Sequence, residues 1–451
     1  MSFTAIILAS ARSQKKDRLQ SRTLQRLLGD PILLWILRAL PKEIKNVVLI
    51  VEPNDEREIR SLVEAWQDNE SLKRKVHFIN HPSQTKGIFN AFNAVRPLIN
   101  KLKITKVLFL SGETPLITTK SLARLLRNCP AIGTSQACDP NETLGVVPES
   151  NRGNWSVTMQ ETTNKGKAIL DGSTDATCLA IPWKLLTSII KKSHGPRLPD
   201  LIHQLAQETK LNTIQLGHEE VLRINSKMDL SFVHALAQKI INNGWLERGV
   251  SILDPSSTFI GPRVELASDV LIEPNVSLLG KVIIGSGSTI QVGSRIEDSR
   301  LGNSTTVKPY TLIDKSKIGN HVNVGPFSRL REGTVLDERV QIGNFVETKK
   351  AKISKNSKAN HLTYLGDVSI GTNTNVGAGV ITCNYDGVNK HKTTIGNDVF
   401  IGSDTQMIAP INIGDGALIA AGTTLTDNVP LKNLAKSRVP QLNRPLKRVK
   451  R

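Results

Sequence analysis

The sequence predicts three consecutive parts: an N-terminal α/β unit, a connecting helix and a C-terminal three-sided solenoid. Up to about residue 225, short apolar runs alternate with amphipathic stretches, as they do in a βαβ domain. Residues 228–243 repeat apolar positions at spacings of three and four, which indicates a helix. Beyond residue 252 aliphatic residues recur every six positions, a period that fits neither a helix nor a strand with two different faces.

The apolar runs of the N-terminal part are predicted to be central strands. They cover residues 6–9, 47–51, 76–79 and 107–110. The amphipathic stretches at residues 61–66, 87–98 and 120–128 are predicted to be the intervening helices. Because strands that alternate with helices usually pair in parallel, we expect a parallel sheet covered by helices.

The connecting segment carries an apolar stripe that predicts an amphipathic helix. The stripe consists of Leu230, Val233, Ala237 and Ile240, and Leu236 widens it. Gly244 is placed to end this helix, since glycine is the preferred residue just beyond a helix C-terminus.

The six-residue repeat predicts a triangular solenoid in which each short side contributes one inward aliphatic residue. The first register runs Ile260, Leu266, Ile272, Leu278, Ile284, Ile290 and Ile296. Later registers run Leu301, Val307, Ile313, then Ile318, Val324, Leu330, Leu336, Ile342, then Ile395, Ile401, Met407, Ile413, Ile419, Leu425. Glycine follows several of these residues, and we expect it to let the chain turn the corner. The period breaks at residues 382–392, which predicts a projecting loop where function concentrates.

The composition is that of a globular protein with an excess of positive charge. Apolar residues make up 39% and charged residues 22% of the 451 positions, and the formal net charge is +19. This charge favours anionic partners such as nucleotides, CoA or sugar phosphates. The basic residues are not interleaved with aromatic ones that would stack on bases, so we do not expect nucleic-acid binding.

Cysteine usage and hydropathy indicate a cytoplasmic protein. Cys129, Cys138, Cys178 and Cys383 are too few and too scattered for a disulfide framework or a C-x-x-C zinc site. The apolar run at residues 4–9 is followed, not preceded, by basic residues, the reverse of a secretory signal. We find no apolar stretch long enough for a transmembrane segment.

Five ordered motifs in the solenoid resemble those of one enzyme family. They are Gly343-Asn344-Phe345-Val346-Glu347-x-Lys349-Lys350-Ala351, His361-Leu362-Thr363-Tyr364-Leu365-Gly366-Asp367, Ile381-Thr382-Cys383-Asn384-Tyr385-Asp386-Gly387, Gly402-Ser403-Asp404-Thr405 and Ser437-Arg438-Val439-Pro440. The family is the bacterial bifunctional N-acetylglucosamine-1-phosphate uridylyltransferase and glucosamine-1-phosphate N-acetyltransferase, which makes UDP-N-acetylglucosamine for peptidoglycan and lipopolysaccharide. The resemblance extends over residues 250–440 and, more weakly, over the N-terminal half.

This resemblance implies a domain order and an activity. It implies a Rossmann-like nucleotidyltransferase fold at residues 1–226, a linker helix at 227–249, a left-handed parallel β-helix of hexapeptide repeats at 250–430 and a basic tail at 431–451. The β-helix would transfer acetyl from acetyl-CoA, its co-substrate, to glucosamine 1-phosphate. The family also implies a homotrimer with the active site between subunits.

The resemblance implies that His361 is the general base. An imidazole that titrates near physiological pH can take the amine proton as the amine attacks the thioester. The implied substrate-binding residues are Arg331, Lys349, Tyr364, Asn375 and Lys390, whose cations would hold the phosphate. The implied acetyl-CoA residues are Ala378, Asn384, Tyr385, Ser403, Ala421 and Arg438, although Ala378 and Ala421 could equally be corner fillers.

Two residues of the β-helix depart from the family pattern. Asn360 precedes the histidine where glycine is usual, and Glu332 follows Arg331 where proline is usual. Since asparagine tolerates a left-handed backbone, we expect the turn at Asn360 to survive.

The N-terminal half departs from the family at its implied nucleotide site. The glycines of the phosphate-binding loop are replaced by Ala11 and Ser13, Ser21-Arg22 stands in place of Pro-Lys, and Gly87 alone remains of a glycine-threonine-glycine segment. The implied metal ligands are Glu113, in place of aspartate, and Asn225. Mg²⁺ demands near-ideal octahedral geometry, so the longer glutamate can misplace it. Mg²⁺ is expected only if this domain is active.

Several functions remain open. The N-terminal half could be a competent uridylyltransferase acting on UTP, a weak or altered nucleotidyltransferase, or a structural remnant. The solenoid could be a non-catalytic scaffold, or a zinc enzyme of the carbonic anhydrase type. The zinc alternative needs clustered imidazoles, whereas His321, His361 and His391 lie 40 and 30 residues apart.

Overall fold

The computed structural model describes residues 3–9, 21–70, 74–81, 88–136, 145–151, 154–160, 173–192, 198–437 and 439–445. The chain divides into two compact units, Met1–Ala237 and Gln238–Arg451. The division falls inside one helix, α7 (Lys227–Leu246). The domain bounds 1–226, 227–249, 250–430 and 431–451 stay predictions.

The first unit is an α/β fold. Its strands are β1 (Phe3–Leu8), β2 (Arg26–Leu27), β3 (Asp30–Pro31), β4 (Asn46–Val51), β5 (Lys75–Asn80), β6 (Lys106–Ser111), β7 (Ala131–Gln136), β8 (Gly145–Asn151), β9 (Asn154–Gln160), β10 (Ser173–Pro182) and β11 (Asn212–Gln215). Its helices are α1 (Ile32–Ala39), α2 (Glu56–Glu70), α3 (Ile88–Lys101), α4 (Thr119–Arg127), α5 (Trp183–Lys192) and α6 (Leu198–Glu208), with 3₁₀ turns at Arg22–Leu24 and His218–Val221.

The main sheet of this unit is mixed, whereas the sequence predicted a parallel one. Its order is β11-β7-β10-β6-β1-β4-β5, with β8 and β9 beside β10. The four predicted strands are β1, β4, β5 and β6, and they do pair in parallel. The prediction was wrong for β10, which is antiparallel to both β6 and β7 and was not identified from the sequence.

The second unit consists of three parallel sheets, which confirms the predicted β-helix. Sheet I contains β12 (Ser251–Ile252), β15 (Leu271–Ile272), β18 (Thr289–Ile290), β21 (Thr306–Val307), β24 (Asn323–Val324), β27 (Gln341–Asn344), β30 (Lys358–His361), β33 (Asn375–Val376), β36 (Phe400–Ile401), β39 (Leu418–Ile419) and β41 (Leu434–Ala435).

Sheet II contains β13 (Phe259–Ile260), β16 (Ser277–Leu279), β19 (Arg295–Glu297), β22 (Leu312–Asp314), β25 (Arg329–Leu330), β28 (Glu347–Lys349), β31 (Tyr364–Gly366), β34 (Ile381–Cys383), β37 (Gln406–Ile408) and β40 (Thr424–Leu425). Sheet III contains β14 (Glu265–Leu266), β17 (Ile283–Ile284), β20 (Arg300–Leu301), β23 (Lys317–Ile318), β26 (Val335–Leu336), β29 (Lys352–Ile353), β32 (Val368–Ile370), β35 (Thr393–Ile395) and β38 (Ile411–Ile413).

The predicted inward aliphatic residues form the core of the β-helix, because each coil stacks its short sides on those of the next. All are buried except Leu266, which is partly buried and packs against the same core. The register shifts have a structural cause: Leu278 pairs with Ile296, 18 residues on, whereas Ile296 pairs with Ile313, 17 residues on. The shorter coil has a shorter corner at Asp298, which adopts a left-handed backbone with φ 44°.

The glycines after the inward aliphatics serve close packing rather than turning, contrary to the prediction. A Cβ on Gly285 would lie 2.6 Å from the backbone of Gly302 in the next coil. The left-handed corner positions are occupied by other residues, such as Asn275 and Tyr310.

Helix α7 continues past Gly244, so the predicted helix end was wrong. Gly244 lies inside α7, and the turn that ends the helix places Gly249 in a left-handed backbone with φ 86°. The Val250 N–H donates to Trp245 O across this turn. None of the helices in the described residues is long and apolar enough to cross a membrane.

Candidate active site

Three implied substrate residues lie together on the outer face of sheet II. Arg331 follows β25, which pairs with β28, so Arg331 lies beside Lys349 of the next coil. Lys349 is in register with Gly366, and Tyr364 lies two residues before Gly366 on the same face. Arg331 Nη1 donates to Glu347 Oε1 at 2.7 Å, and this hydrogen bond raises the pKa of Arg331.

Two lysines of this face approach each other. Contact with the Lys390 side chain, followed by the charges of Lys390 and Arg331, lowers the pKa of Lys349. Like charges placed this close repel one another, and a bound dianionic phosphate relieves that repulsion. The face therefore suits a phosphate.

His361 lies at the corner between sheets I and II, at the end of β30. Its side chain is exposed, and its Nδ1 lies 2.9 Å from Oδ1 of Asn344, the residue paired with it in β27. With Asn344 Oδ1 as acceptor, Nδ1 carries the proton and Nε2 is left with a free lone pair. An imidazole in this state can act as a base.

A column of small side chains continues from His361 along the same corner. Strand pairing between β30, β33, β36 and β39 places His361, Ala378, Ser403 and Ala421 in successive coils. Neighbouring coils are about 4.8 Å apart, so the column is about 14 Å long from His361 to Ala421. These residues leave room for a slender ligand along the corner.

The predicted projecting loop lies between β34 and β35. It carries Asn384, whose Nδ2 donates to Asp367 Oδ2 at 2.5 Å, and Tyr385, whose hydroxyl donates to Gly387 O at 2.6 Å. Tyr385 also forms a β-bridge with Lys390. The loop thereby brings implied acetyl-CoA and substrate residues to the edge of sheet II.

One implied substrate residue lies on a different sheet. Asn375 begins β33 in sheet I, where it pairs with Lys358 and Phe400. Arg331, Lys349 and Tyr364 lie on sheet II, around the corner. One chain therefore presents the implied sugar-binding residues on two faces.

The expectation that Asn360 adopts a left-handed backbone was wrong. Asn360 is an ordinary strand residue of β30, stacked over Gly343, where a Cβ would meet Asn360 O. The left-handed residue of this turn is Leu362, with φ 48°. The departure from the family pattern therefore leaves the turn intact.

In the first unit, the two implied metal ligands converge on a guanidinium. Arg22 Nη1 lies 2.5 Å from Glu113 Oε1 and 3.3 Å from Asn225 Oδ1. One carboxylate and one amide, both bound to a cation, do not fit an octahedral Mg²⁺ site. No group of three or more His, Cys, Asp or Glu residues able to hold a metal occurs among the described residues.

Several predicted residues lie outside the described part of the chain. They are Arg438, Gly87 and the loop residues Ala11 and Ser13.

Sequence reasoning assigned no role to three residues that the structure brings into the site. Asn344 contacts His361, Glu347 pairs with Arg331, and Asp367 binds Asn384. All three belong to the quoted motifs, and their signal was a spacing of 16 or 17 residues from their partners, about one coil.

Comparisons with known proteins agree with this architecture. The GMPPB C-terminal domain model matches residues 255–364, and the bacterial transferase hexapeptide model (six repeats) matches residues 392–427. A crystal structure of 4-diphosphocytidyl-2C-methyl-D-erythritolsynthase from Anaerococcus prevotii DSM 20548 covers 52% of this chain and 96% of that chain, with 17% identity and a TM-score of 0.38, too low to add to the fold described above.

Curated relatives match along nearly the whole chain. Bifunctional protein GlmU of Pelobacter propionicus is 33% identical and covers 98% of this chain and 96% of its own; that of Francisella philomiragia is 34% identical and covers 98% and 97%. Bifunctional protein GlmU of Shouchella clausii is 33% identical over 98% of this chain and 97% of its own. The predicted family is confirmed, and the chain belongs to the GlmU family of bifunctional proteins.

Proposed function

We propose that this chain is an enzyme that transfers acetyl from acetyl-CoA to the amine of glucosamine 1-phosphate, giving N-acetylglucosamine 1-phosphate for UDP-N-acetylglucosamine synthesis. The observation that carries this function is an exposed imidazole with a fixed tautomer, next to a face with three cations. The family, confirmed by whole-chain similarity, is that of an enzyme with these substrates.

His361 serves as general base. Its Nε2 takes a proton from the substrate ammonium or from the amine as nitrogen attacks the thioester carbonyl, while Asn344 holds the ring through Nδ1. The new C–N bond forms, the C–S bond breaks and the CoA thiolate leaves, taking up a proton. A positioned base contributes about 10²–10⁴-fold in rate.

The phosphate of the substrate binds the cations of sheet II. Arg331, held by Glu347, offers a planar fork of donors, and Lys349 and Lys390 add point charges. Tyr364 borders the sugar. This assignment is supported by the shared outer face of β25, β28 and β31.

Acetyl-CoA lies along the corner column. The small side chains of Ala378, Ser403 and Ala421 admit the pantetheine chain, and Asn384 and Tyr385 border it from the loop. The proposal places the thioester beside His361, at the end of this column, and assigns Arg438 to the CoA phosphates.

The proposed assembly is a homotrimer with the site between subunits. Asn375 lies on a different sheet from the cations, so a second copy can supply the face that one chain lacks. Near His361 the same corner exposes an apolar ladder, in which the rings of Tyr310 and Phe327 are stacked 5.4 Å apart and those of Phe327 and Phe345 5.6 Å apart. An exposed ladder of this kind suits burial against another subunit.

Oligomeric state is measured by sedimentation equilibrium. The expected mass is that of three 49.4-kDa chains. Phe327→Asp should dissociate them and lower acetyl transfer, because a buried unpaired charge opposes association. A monomeric wild-type chain with full activity would contradict the trimeric site.

The acetyltransferase is separated from a non-catalytic scaffold by thiol release from acetyl-CoA in the presence of glucosamine 1-phosphate. His361→Ala should lower kcat by at least about 10²-fold with unchanged sedimentation. His321→Ala is the matched control, since His321 is an exposed corner histidine away from the column and should leave the rate unchanged. Equal rates in both variants would refute the assigned base.

The second candidate function adds uridylyl transfer from UTP to N-acetylglucosamine 1-phosphate. It is favoured by similarity to proteins named bifunctional along both halves of the chain. Pyrophosphate release from UTP, with Mg²⁺ as the implied cofactor, tests it. We also propose a cytoplasmic location, where acetyl-CoA is made, and cell fractionation tests this.

A further inference from the structure

The N-terminal unit holds its own positive charge between the two residues implied to bind a metal. The Arg22 Nη1 nitrogen contacts both Glu113 Oε1 and Asn225 Oδ1, at 2.5 and 3.3 Å. The side chains of Arg22 and Glu113 are 16% and 13% exposed, so the pair is largely shielded from water. Such a pair is coupled much more strongly than one on the surface.

The backbone around this pair is fixed by several hydrogen bonds. The Gly112 N–H donates to Leu8 O at 2.9 Å, and a Cβ on Gly112 would lie 2.4 Å from that oxygen. The Ile224 N–H donates to Glu113 O at 3.0 Å, which ties the segment of Asn225 to Glu113. The two oxygen ligands therefore have little freedom to move apart and admit a larger coordination shell.

A divalent cation cannot share this position with the guanidinium. Mg²⁺ needs six oxygen ligands at about 2.0–2.1 Å, whereas the described residues supply Glu113 and Asn225, with a nitrogen cation between them. Two cations a few ångströms apart in a shielded site repel each other strongly. Arginine also stays protonated at any working pH, so this charge cannot be removed by titration.

We propose that Arg22 replaces the metal as a permanent internal cation, so that the site of Glu113 and Asn225 binds no divalent metal. The consequence is that the first unit lacks the metal-dependent uridylyl transfer of the second candidate function. The proposed acetyl transfer is independent of this inference, because its residues lie in the other unit.

Metal binding is measured directly with MnCl₂ by electron paramagnetic resonance, on the full-length chain, with and without UTP. The expected result is that wild type and Glu113→Gln remove the same amount of free Mn²⁺ from solution. A wild-type chain that binds one further equivalent of Mn²⁺, lost in Glu113→Gln, would overturn the proposal. Mn²⁺ held equally by both chains lies elsewhere, or on UTP, and agrees with it.

A double-mutant cycle tests the internal cation without any metal. Arg22→Met, Glu113→Gln and the double variant are unfolded in urea and followed by tryptophan fluorescence. Because each single change leaves its partner shielded and unpaired, the double variant should be about tenfold more stable, in unfolding constant, than the sum of the single losses predicts. Strictly additive losses would overturn the proposal.

An exposed pair provides the matched control for this cycle. Arg60 and Glu56 pair at 2.6 Å on helix α2, with side chains 46% and 28% exposed. Arg60→Met and Glu56→Gln should couple by no more than about twofold. Thiol release by the same wild-type sample reports separately on acetyl transfer, so either conclusion can fail without the other.

Discussion

Gly366 leaves the space that the proposed active site occupies, and filling that space should disable it. A Cβ at this position would lie 2.5 Å from Tyr364 Oη and 2.8 Å from Asn384 Nδ2. Ordinary contacts of a Cβ begin at 3.4 Å, so in Gly366→Ala the hydroxyl must retreat by about 1 Å and the amide by about 0.6 Å. The amide shift also strains its 2.5 Å hydrogen bond to Asp367.

The expected loss is kinetic. Displacement of substrate-positioning groups by about 1 Å costs up to about 10²-fold in rate. Gly366→Ala should therefore lower kcat/KM by about 10–100-fold, or about 1.4–2.8 kcal/mol of transition-state stabilisation. The assay is thiol release, with kcat and KM measured for each substrate. A kcat/KM within about twofold of wild type would refute the positions assigned to Tyr364 and Asn384.

Gly244→Ala is the matched glycine control. A Cβ there meets nothing within 4 Å, and Gly244 lies inside α7. Alanine should stabilise the chain by about 0.5–1 kcal/mol and leave acetyl transfer unchanged. A lower melting temperature would show that Gly244 has a role in ending the helix after all.

Two further predictions concern charge. Lys390 lowers the pKa of Lys349, so Lys390→Ala should raise that pKa, weaken phosphate binding overall and move the alkaline rise of KM for glucosamine 1-phosphate to higher pH, while an unmoved limb would contradict the contact. The hydrogen bond from His391, followed by two backbone N–H donors, lowers the pKa of Asp386 to about 2, so the loop keeps this stabilisation above pH 4 and loses it as pH falls towards 2. Asp386→Asn should raise KM for acetyl-CoA at neutral pH by loosening the loop of Tyr385; an unchanged KM would dissociate loop order from binding.

The β-helix was predictable because its signal is local and repeated. Each inward position needs one aliphatic side chain, and the same need recurs every six residues, so the register accumulates along the chain. The period weakened between Ile342 and Ile395, where the inward positions include Thr348, Ala359 and Thr382, which are buried but polar or small. Those coils are the ones that carry the predicted site.

The features that the sequence did not predict depend on contacts between distant positions. Strand β10 is antiparallel because of where the chain re-enters the sheet, which no local pattern encodes. Arg22 and Asn225 are 203 residues apart, so their contact through one guanidinium could not be inferred from spacing. Glycine gave an ambiguous signal, because Gly244 and Gly249 are equally good helix-ending residues by type and tertiary packing decides between them.

The end of α7 closes the first coil of the β-helix, which predicts where an isolated acetyltransferase unit must begin. Gln238 and Asn242 are buried, and their side-chain amides donate to backbone oxygens of the first coil, including Pro255 O and Thr258 O. Ile241 and Trp245 pack against the same core.

A chain that starts at residue 250 loses all of these contacts. Uncovering even two aliphatic residues of the first coil, such as Ile252 and Ile260, costs about 3–6 kcal/mol. We therefore expect residues 227–451 to form a stable unit and residues 250–451 to melt at a much lower temperature, as measured by circular dichroism. Equal melting temperatures would show that the coils need no cap, and that α7 contributes a connection between the units but no stability to the β-helix.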